Sequence, residues 1–204
     1  MKQALGVMLL ALRPVAWAAK QIGSLQQVSG NRLILGVGTG NPAHGDRAWR
    51  AAGVSFTDRG ARTDEALRLL PSLVGGEPTT LGDDLSVTLS PGAPMPPVMI
   101  AGNGRRALRR AADFGDSWAA MAITPAEVTE GLAKLTGLAA ERNRPRPGVT
   151  VVGPPLDTTD PSRAADQLAA YADAGTDRVV LAPTGPDWRR DYEFAAAVRA
   201  AIRA

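Results

Sequence analysis

The sequence of 204 residues contains no cysteine and only one histidine, His44. The absence of cysteine excludes a disulfide framework and any metal site built from thiolates. One histidine is too few for a zinc site rich in histidine, and it leaves at most one histidine as a general base. We expect His44 to be an ordinary residue of a surface loop, with a catalytic role as the less favoured alternative.

Aromatic residues make up only 4% of the sequence, and no apolar run is long enough to span a membrane. The net charge is only +3, and no basic run is interleaved with aromatic residues, so we expect neither a nucleic-acid nor a membrane partner. Near the N-terminus, Lys2, an apolar stretch and Ala16-Trp17-Ala18 resemble a signal peptide. Arg13-Pro14 interrupts that stretch, however. The absence of cysteine and of a convincing targeting segment predicts a cytoplasmic protein.

What the sequence does contain is an alternation of short apolar runs with helical patterns. We predict about six buried strands, most of them followed by a helix, which indicates a parallel sheet in an α/β fold. The first strand is predicted to end near Ala11, and the helix after it to bury one face. That face consists of Val15, Ala18, Ala19, Ile22 and Leu25.

Three further expectations concern exposure. Residues 77–96 are predicted to form a surface excursion with at most one small strand. Residues 178–182 are predicted to form a last buried strand. On the helix that starts at residue 105, we expect Arg109 and Arg110 to lie on the solvated face.

Residues 98–120 form the segment around which the rest of the sequence is interpreted. An apolar strand is followed by the turn Gly102-Asn103-Gly104, which opens directly onto a helix. Unpaired N–H groups and the positive end of the helix dipole favour an anion there, most plausibly a phosphate. Of the arginines on this helix, only Arg105 and Arg106 lie in the first turn, within reach of such a ligand. A purely structural turn remains the alternative, because tight turns also use glycine.

A second glycine-rich exit, residues 36–41, follows the predicted strand Leu33–Val37. It resembles a dinucleotide fingerprint only loosely, because its third glycine falls one place early and no helix follows at once. Two architectures therefore remain open. One is an open doubly wound sheet that binds a nucleotide; the other is part of a (β/α)8 barrel, two βα units short of the full eight.

Several segments, taken in order, resemble the luciferase-like monooxygenases, a group of oxidoreductases that depend on FMN or on the deazaflavin F420. The first is LQQVSGNRLILGVGTG at residues 25–40. The second comprises Phe56, Arg59-Gly60 and the run DEAL at residues 64–67. The third is PPVMIAGNG at residues 96–104, followed by AADFGDSW at residues 111–118. Together they cover nearly the whole chain.

The resemblance implies a TIM-barrel-type (β/α)8 fold that is incomplete, with the first two βα units missing, and a single domain over residues 1–204. It implies that FMN or F420 binds at the C-terminal ends of the strands, with the cofactor phosphate at the turn of residues 102–104. It places Leu10 and Ala11 beside the isoalloxazine ring. The cofactor-binding residues implied are Leu10, Ala11, Thr39, Asn41, Ala101, Gly102, Asn103, Gly104, Arg105 and Arg106.

The activity implied is oxidation, reduction or monooxygenation of a small organic substrate. For the assembly of the chain, a homodimer is one of the alternatives left open. No convincing acid/base pair is visible, because Asp46, Asp58 and Glu65 are expected to cap helices or to pair with arginines. The alternative is a truncated, non-catalytic remnant of the family that binds a flavin or a partner. An incomplete barrel exposes two strand edges, which soluble proteins avoid. We therefore expect about 60 further residues encoded upstream, or a partner chain or a rearrangement that covers the gap.

Overall fold

The computed structural model describes residues 3–181 and 186–202. The chain divides into two compact units, Met1–Ala101 and Gly102–Ala204. The first unit contains β1 (Gln3–Met8), α1 (Val15–Ser29), β2 (Leu33–Val37), α2 (Arg47–Ala51), α3 (Arg59–Gly75), β3 (Thr79–Leu81), β4 (Leu85–Val87) and β5 (Val98–Ala101). The second contains α4 (Arg105–Phe114), β6 (Ser117–Met121), α5 (Pro125–Ala140), β7 (Gly148–Val152), α6 (Pro161–Asp173), β8 (Arg178–Val180) and α7 (Trp188–Ala201).

The first unit is built on three parallel strands, with β2 between β1 and β5. All five residues of β2 are buried, as a continuous apolar run with a strand on each side requires. The register of β1 against β2 shifts between Leu5 and Met8, and the Gly6–Val7 peptide bond is cis. Because the strands are parallel, their carboxyl ends lie at one edge of this unit.

The prediction that the first strand reaches Ala11 is wrong, because β1 ends at Met8 and Leu10–Leu12 form a 3-10 turn. Leu10 and Ala11 are buried all the same, at 1% and 2% exposure. A continuous apolar run has no alternation that marks where a strand stops, so the end could not be located from the pattern.

The prediction of at most one small strand in residues 77–96 is also wrong. β3 and β4 pair antiparallel, with Thr79 opposite Val87. The turn between them contains Gly82, whose φ of 62° is easy only for glycine. These strands are only three residues long and largely exposed, which removes the apolar alternation that identifies a strand.

The second unit also has three parallel strands, with β7 between β6 and β8. Trp118 on β6 is 2% exposed and packs against Gly131 of α5. A Cβ atom at position 131 would lie 2.4 Å from the Trp118 ring. The missing side chain of this glycine therefore lets α5 approach the strand.

Three expectations about burial are wrong. The last strand is partly exposed, with Val180 at 40%, because among the described residues β8 pairs only with β7; Ala182 lies outside them. Arg110 is only 9% exposed, because it shares a helical face with Ala107 and Ala111 and an arginine stem buries readily. Leu25, expected on the buried face of α1, is 41% exposed. No helix in the described parts of the chain is long and apolar enough to cross a membrane.

Candidate functional site

The second unit begins with the turn that the sequence analysis singles out. The Gly102 N–H donates to the Ala119 carbonyl oxygen at 3.0 Å, and Trp118 Nε1 donates to the Gly102 carbonyl oxygen at 2.7 Å. Gly102 has a φ of 133°, and a Cβ atom there would lie 3.0 Å from Ala107 Cβ. Both backbone groups of Gly102 are therefore bonded to β6, in a conformation that requires glycine.

Asn103 fastens the same turn to the end of β6. Its Nδ2 donates to the Met121 carbonyl oxygen at 2.8 Å, and the Met121 N–H donates to its Oδ1 at 2.8 Å. Both ends of the carboxamide are thus engaged with the backbone of β6. If Asn103 contacts a cofactor, as the resemblance implies, its backbone N–H is the group that can do so.

Gly104 differs from Gly102 although the two look alike in the sequence. It is the N-cap residue of α4, in an extended conformation with φ −85° and ψ 164°, and a Cβ atom there would meet nothing within 4 Å. Among the described residues, no acceptor meets the N–H groups of Asn103, Gly104, Arg105 and Arg106. The start of α4 therefore presents four donors beside open space.

The other helices of the second unit begin differently. Side chains of their N-cap residues, Thr124 for α5, Asp160 for α6 and Asp187 for α7, accept hydrogen bonds from the first-turn N–H groups. Within this unit, α4 is the helix whose N-cap side chain offers no such acceptor. Its first-turn donors are left for a ligand or for solvent.

The charge at the start of α4 is positive. Arg105 and Arg106 are exposed, and the first turn contains no acidic residue. A cation at the positive end of a helix dipole is unfavourable by about 0.3–1 kcal/mol. A bound anion would offset this repulsion and accept hydrogen bonds from the free N–H groups. The arrangement is chemically suited to a phosphate.

In the first unit, the exit of β2 carries two of the predicted residues. Thr39 is half-buried, and Asn41 Oδ1 accepts a hydrogen bond from the Ala43 N–H at 3.0 Å. Between them, Gly40 has a φ of 80° and lies against Trp49: a Cβ atom there would be 3.2 Å from the indole ring. Asn41 and Trp49 thus hold this exit in place.

Trp49 is a residue to which the sequence analysis assigns no role. It is 3% exposed and meets Phe56 edge to face, with 5.9 Å between ring centroids. The Arg59 guanidinium lies 3.8 Å from the centre of the Phe56 ring. Phe56 and Arg59 belong to one of the segments that carry the resemblance, so their spacing was the available signal for this cluster.

The structure leaves Leu10 and Ala11 little surface for a ligand. Both line a cavity of about 140 Å³ in the first unit, together with Arg62 and Glu65. This volume is below the 300–1,000 Å³ typical of ligand pockets. Ala101, at the end of β5, is half-buried. Val7, near the end of β1, was not predicted as a site residue. Its side chain is 41% exposed and lies beside Gly38.

A larger cleft, about 550 Å³ in volume, lies in the second unit where the chain leaves β7 and β8. Its lining is largely apolar, with a few polar groups. Among the lining residues are Leu156, Trp188, Arg190, Tyr192 and Phe194. The volume falls within the range of small-molecule pockets. None of these residues was predicted to line a site.

The remaining candidates do not form a catalytic cluster. His44 is exposed at the end of a 3-10 turn, as expected of a loop residue. Asp46 and Asp58 occupy the N-cap positions of α2 and α3, although neither side chain makes a capping hydrogen bond. No group of three or more histidine, aspartate or glutamate side chains in the described residues is close enough to hold a metal ion.

The carboxyl groups with a lowered pKa are structural. Hydrogen bonds from the backbone and hydroxyl of Thr124 lower the pKa of Glu127, and hydrogen bonds from the hydroxyl and backbone of Thr159 lower that of Asp157. Both carboxylates stabilise the starts of helices or turns. They do not mark an acid or base for catalysis.

Comparison with known proteins gives a consistent result. The family model described as luciferase-like monooxygenase matches residues 1–201. An uncharacterized protein of Mycobacterium tuberculosis is 34% identical over 147 residues, which cover 69% of this chain and 49% of that protein. The chain thus spans about half the length of the curated relatives that it matches with this identity.

Two solved structures illustrate the likeness of fold. An F420-dependent secondary alcohol dehydrogenase in complex with an F420–acetone adduct aligns with a TM-score of 0.82 at 16% identity, over 100% of this chain and 80% of its own. The FMN-bound oxygenating constituent of a Pseudomonas putida 3,6-diketocamphane monooxygenase aligns with a TM-score of 0.59 at 19% identity, over 74% of this chain and 47% of its own. The fold is α/β, of the incomplete TIM-barrel type.

Proposed function

Because the chain belongs to the luciferase-like monooxygenase family, we propose that it is an FMN- or F420-dependent oxidoreductase acting on a small organic substrate. The observation that carries the proposal is the start of α4, where four N–H groups have no acceptor among the described residues, Arg105 and Arg106 are exposed, and the space beside Gly104 is open. The proteins of known structure that share the fold include one bound to an F420 adduct and one bound to FMN.

The residues at the start of α4 fit a cofactor phosphate. The N–H groups of Gly104, Arg105 and Arg106 would donate to the phosphate oxygens, while the two guanidinium groups would neutralise its charge. Gly102 and Asn103 contribute by holding the turn against β6, which orients these donors before a ligand arrives. Gly104 has a hydrogen atom in place of a side chain, which leaves room for the phosphate.

The chemistry resides in the cofactor: a bound flavin or deazaflavin supplies a ring that accepts or donates a hydride, and the protein binds and orients it. Thr39, Asn41 and Ala101 remain proposed cofactor contacts in the first unit. Their support is their position at the carboxyl ends of β2 and β5, where barrel enzymes carry their active sites. Leu10 and Ala11 also remain in the proposal, with contact restricted to their small exposed surface.

The cleft beside β7 and β8 is the proposed place for the substrate. Its apolar lining and volume suit a small organic molecule, and its charged lining residues are Arg190 and the two aspartates Asp187 and Asp191. The proposal further comprises a single domain, a homodimer and a cytoplasmic location, each carried over from the sequence.

Titration of the purified chain with FMN and, separately, with F420 tests the proposal. We expect saturable binding of one of them at tens of micromolar or below, followed by absorbance and fluorescence of the cofactor. Failure of both to bind in this range would contradict the proposed function. Cofactor binding without turnover of any reduced or oxidised substrate pair would instead favour the non-catalytic flavin-binding alternative.

A further inference from the structure

Aromatic residues are scarce in this chain but concentrated in the cleft beside β7 and β8. The sequence contains four tryptophans, three phenylalanines and two tyrosines. Three of these nine residues, Trp188, Tyr192 and Phe194, line the cleft. Of the other six, all but Trp17 are buried or half-buried. The cleft therefore presents aromatic surface that the fold keeps covered almost everywhere else.

Two of the rings that line the cleft are largely open to solvent. Trp188 is 53% exposed and Tyr192 is 71% exposed. The two residues lie four positions apart on α7, so their side chains share one side of the helix. Exposed apolar surface within a concave site is typical of a place where a ligand binds.

The geometry of this pair leaves ring surface available on Tyr192. The rings of Trp188 and Tyr192 meet edge to face, with 5.9 Å between centroids and 84° between planes. In such a pair, the edge of one ring covers a single face of the other. The Arg189 guanidinium lies 4.5 Å from the centre of the Trp188 ring. Trp188 is thus held by two neighbours, whereas these contacts leave at least one face of the Tyr192 ring uncovered.

The two tyrosines of the chain differ in how their hydroxyl groups are used. The Tyr171 hydroxyl is buried and donates to the Ile123 carbonyl oxygen at 2.8 Å. The Tyr192 hydroxyl has no hydrogen-bond partner in the part of the chain that the structure describes. It can therefore donate to, or accept from, a polar group on a molecule whose ring lies against Tyr192.

The charge of the cleft bears on the class of ligand. Its charged lining residues are two aspartates, Asp187 and Asp191, and one arginine, Arg190. Asp187 also serves as the N-cap of α7, where its Oδ1 accepts from the Arg190 N–H at 3.3 Å. Because carboxylates outnumber guanidinium groups, the lining does not favour an anion. An uncharged ring enters the cleft without the cost of desolvating a charge.

We infer that the substrate of this site carries an uncharged, planar aromatic ring that stacks on Tyr192, with a polar substituent that bonds to the Tyr192 hydroxyl. Tyr192 is then the residue that selects aromatic over saturated molecules. The inference rests on the proposed function in treating the bound molecule as the substrate. Ring recognition is measured without cofactor, so its failure and the failure of cofactor binding are observed separately.

A matched pair of probes, 2-naphthol and decahydro-2-naphthol, tests the ring class. Both have the same carbon skeleton and a hydroxyl group, but only 2-naphthol is planar and aromatic. We expect calorimetric titration at pH 7 to show that 2-naphthol binds about five-fold more tightly, as for an aromatic pair. Equal affinities, or no binding of 2-naphthol up to its solubility, overturn the inference. Tighter binding of the anionic 2-naphthoate than of 2-naphthol contradicts the uncharged class.

Substitutions of Tyr192 separate its ring from its hydroxyl group. Tyr192→Leu keeps an apolar side chain but removes the ring, so it should weaken 2-naphthol about five-fold and remove the preference over decahydro-2-naphthol. Tyr192→Phe keeps the ring, so it should weaken both probes by a similar factor and preserve their ratio. Circular dichroism should show both variants folded, because Tyr192 is exposed.

Trp17→Leu is the matched control for Tyr192→Leu. Trp17 is an exposed aromatic residue as well, at 68%, but it lies on α1 in the first unit. This variant should bind both probes as the parent chain does. A Tyr192→Leu variant that keeps the parent's preference for 2-naphthol, or a Tyr192→Phe variant that loses it, overturns the inference.

Discussion

At the scale of single residues, the turn at the start of α4 shows how one residue type serves two purposes. Gly102 is glycine because of its backbone, since its φ is positive and a side chain would press on Ala107. Gly104 has an ordinary extended conformation and open space where its side chain would be. The sequence presents the two identically, and only the backbone angles distinguish a structural glycine from one that makes room.

This difference leads to a prediction about Gly104. Replacing it by valine should leave the fold intact but lower the free energy of unfolding by about 1 kcal/mol, because valine is a poorer N-cap residue than glycine. The new side chain fills the space in front of the four donors, so the affinity for FMN or F420 should fall at least tenfold. The measurements are a urea unfolding curve and a cofactor titration.

Gly102→Val is the matched control for that experiment. A β-branched residue at a φ of 133° is strained, so this variant should lose about 1–3 kcal/mol of stability. Unchanged cofactor affinity in a folded Gly104→Val variant would contradict binding of the cofactor phosphate at this turn.

At the scale of elements, the residues that cap helices of the second unit can be identified from the sequence. The run Thr124-Pro125-Ala126-Glu127 predicts a capping box at the start of α5, and the structure confirms it: the Glu127 N–H donates to Thr124 Oγ1, and the Thr124 N–H donates to Glu127 Oε2. Asp160-Pro161 likewise predicts the start of α6, where Asp160 Oδ1 accepts hydrogen bonds from the N–H groups of Ser162 and Arg163. Capping depends on residues three or four positions apart, so local sequence suffices to predict it.

The capping box makes the free energy of unfolding depend on pH. Hydrogen bonds from Thr124 lower the pKa of Glu127 in the folded chain. The carboxyl group of Glu127 therefore takes up a proton at a higher pH in the unfolded chain than in the folded chain. The stabilisation that its carboxylate provides is complete above the ordinary glutamate pKa and is lost as pH falls through the lowered value. We expect Glu127→Gln to weaken the loss of stability on acidification below the ordinary glutamate pKa, seen in thermal melts.

Thr124→Ala separates the cap from the charge. It removes the hydroxyl that accepts from the Glu127 N–H, and at pH 7 it should cost about 1 kcal/mol. If Glu127→Gln and the parent chain lost stability in parallel on acidification, Glu127 would contribute nothing to that dependence.

The packing of α5 on β6 gives a third prediction. Gly131→Ala would place a Cβ atom 2.4 Å from the buried Trp118 ring. Because the ring is enclosed, the helix must move, and the substitution should cost about 1–3 kcal/mol. Gly137→Ala is the control on the same helix: its Cβ atom would meet nothing, and alanine is the better helix former by about 0.8–1 kcal/mol. Urea unfolding should therefore rank Gly137→Ala as stable as or more stable than the parent.

At the scale of the whole molecule, the family membership links a chain of 204 residues to proteins about twice the length of its matched part. The alternation of strands and helices was predictable along most of the chain. What the alternation left open was the choice between an open sheet and a barrel. The likeness to solved barrel enzymes decides it for the incomplete barrel.

Cofactor binding should stabilise the molecule by linkage. At a free concentration of FMN or F420 about one hundred times its Kd, the free energy of unfolding should rise by about 2.7 kcal/mol, since the ligand binds only the folded chain. A thermal melt across a cofactor series measures this as a rise in Tm. The Gly104→Val variant should need a higher concentration for the same rise; an identical series would contradict the proposed phosphate site.

The sequence by itself determined the features that depend on neighbours along the chain. These are the order of strands and helices, the helix caps, and the glycine turn that opens onto a helix. Only the tertiary structure decided which side chains of a helix are covered: it buries Arg110 and leaves Leu25 and Val28 exposed. Periodicity states which residues share a face, whereas burial depends on whether another element packs on that face, and that element lies far away in the sequence.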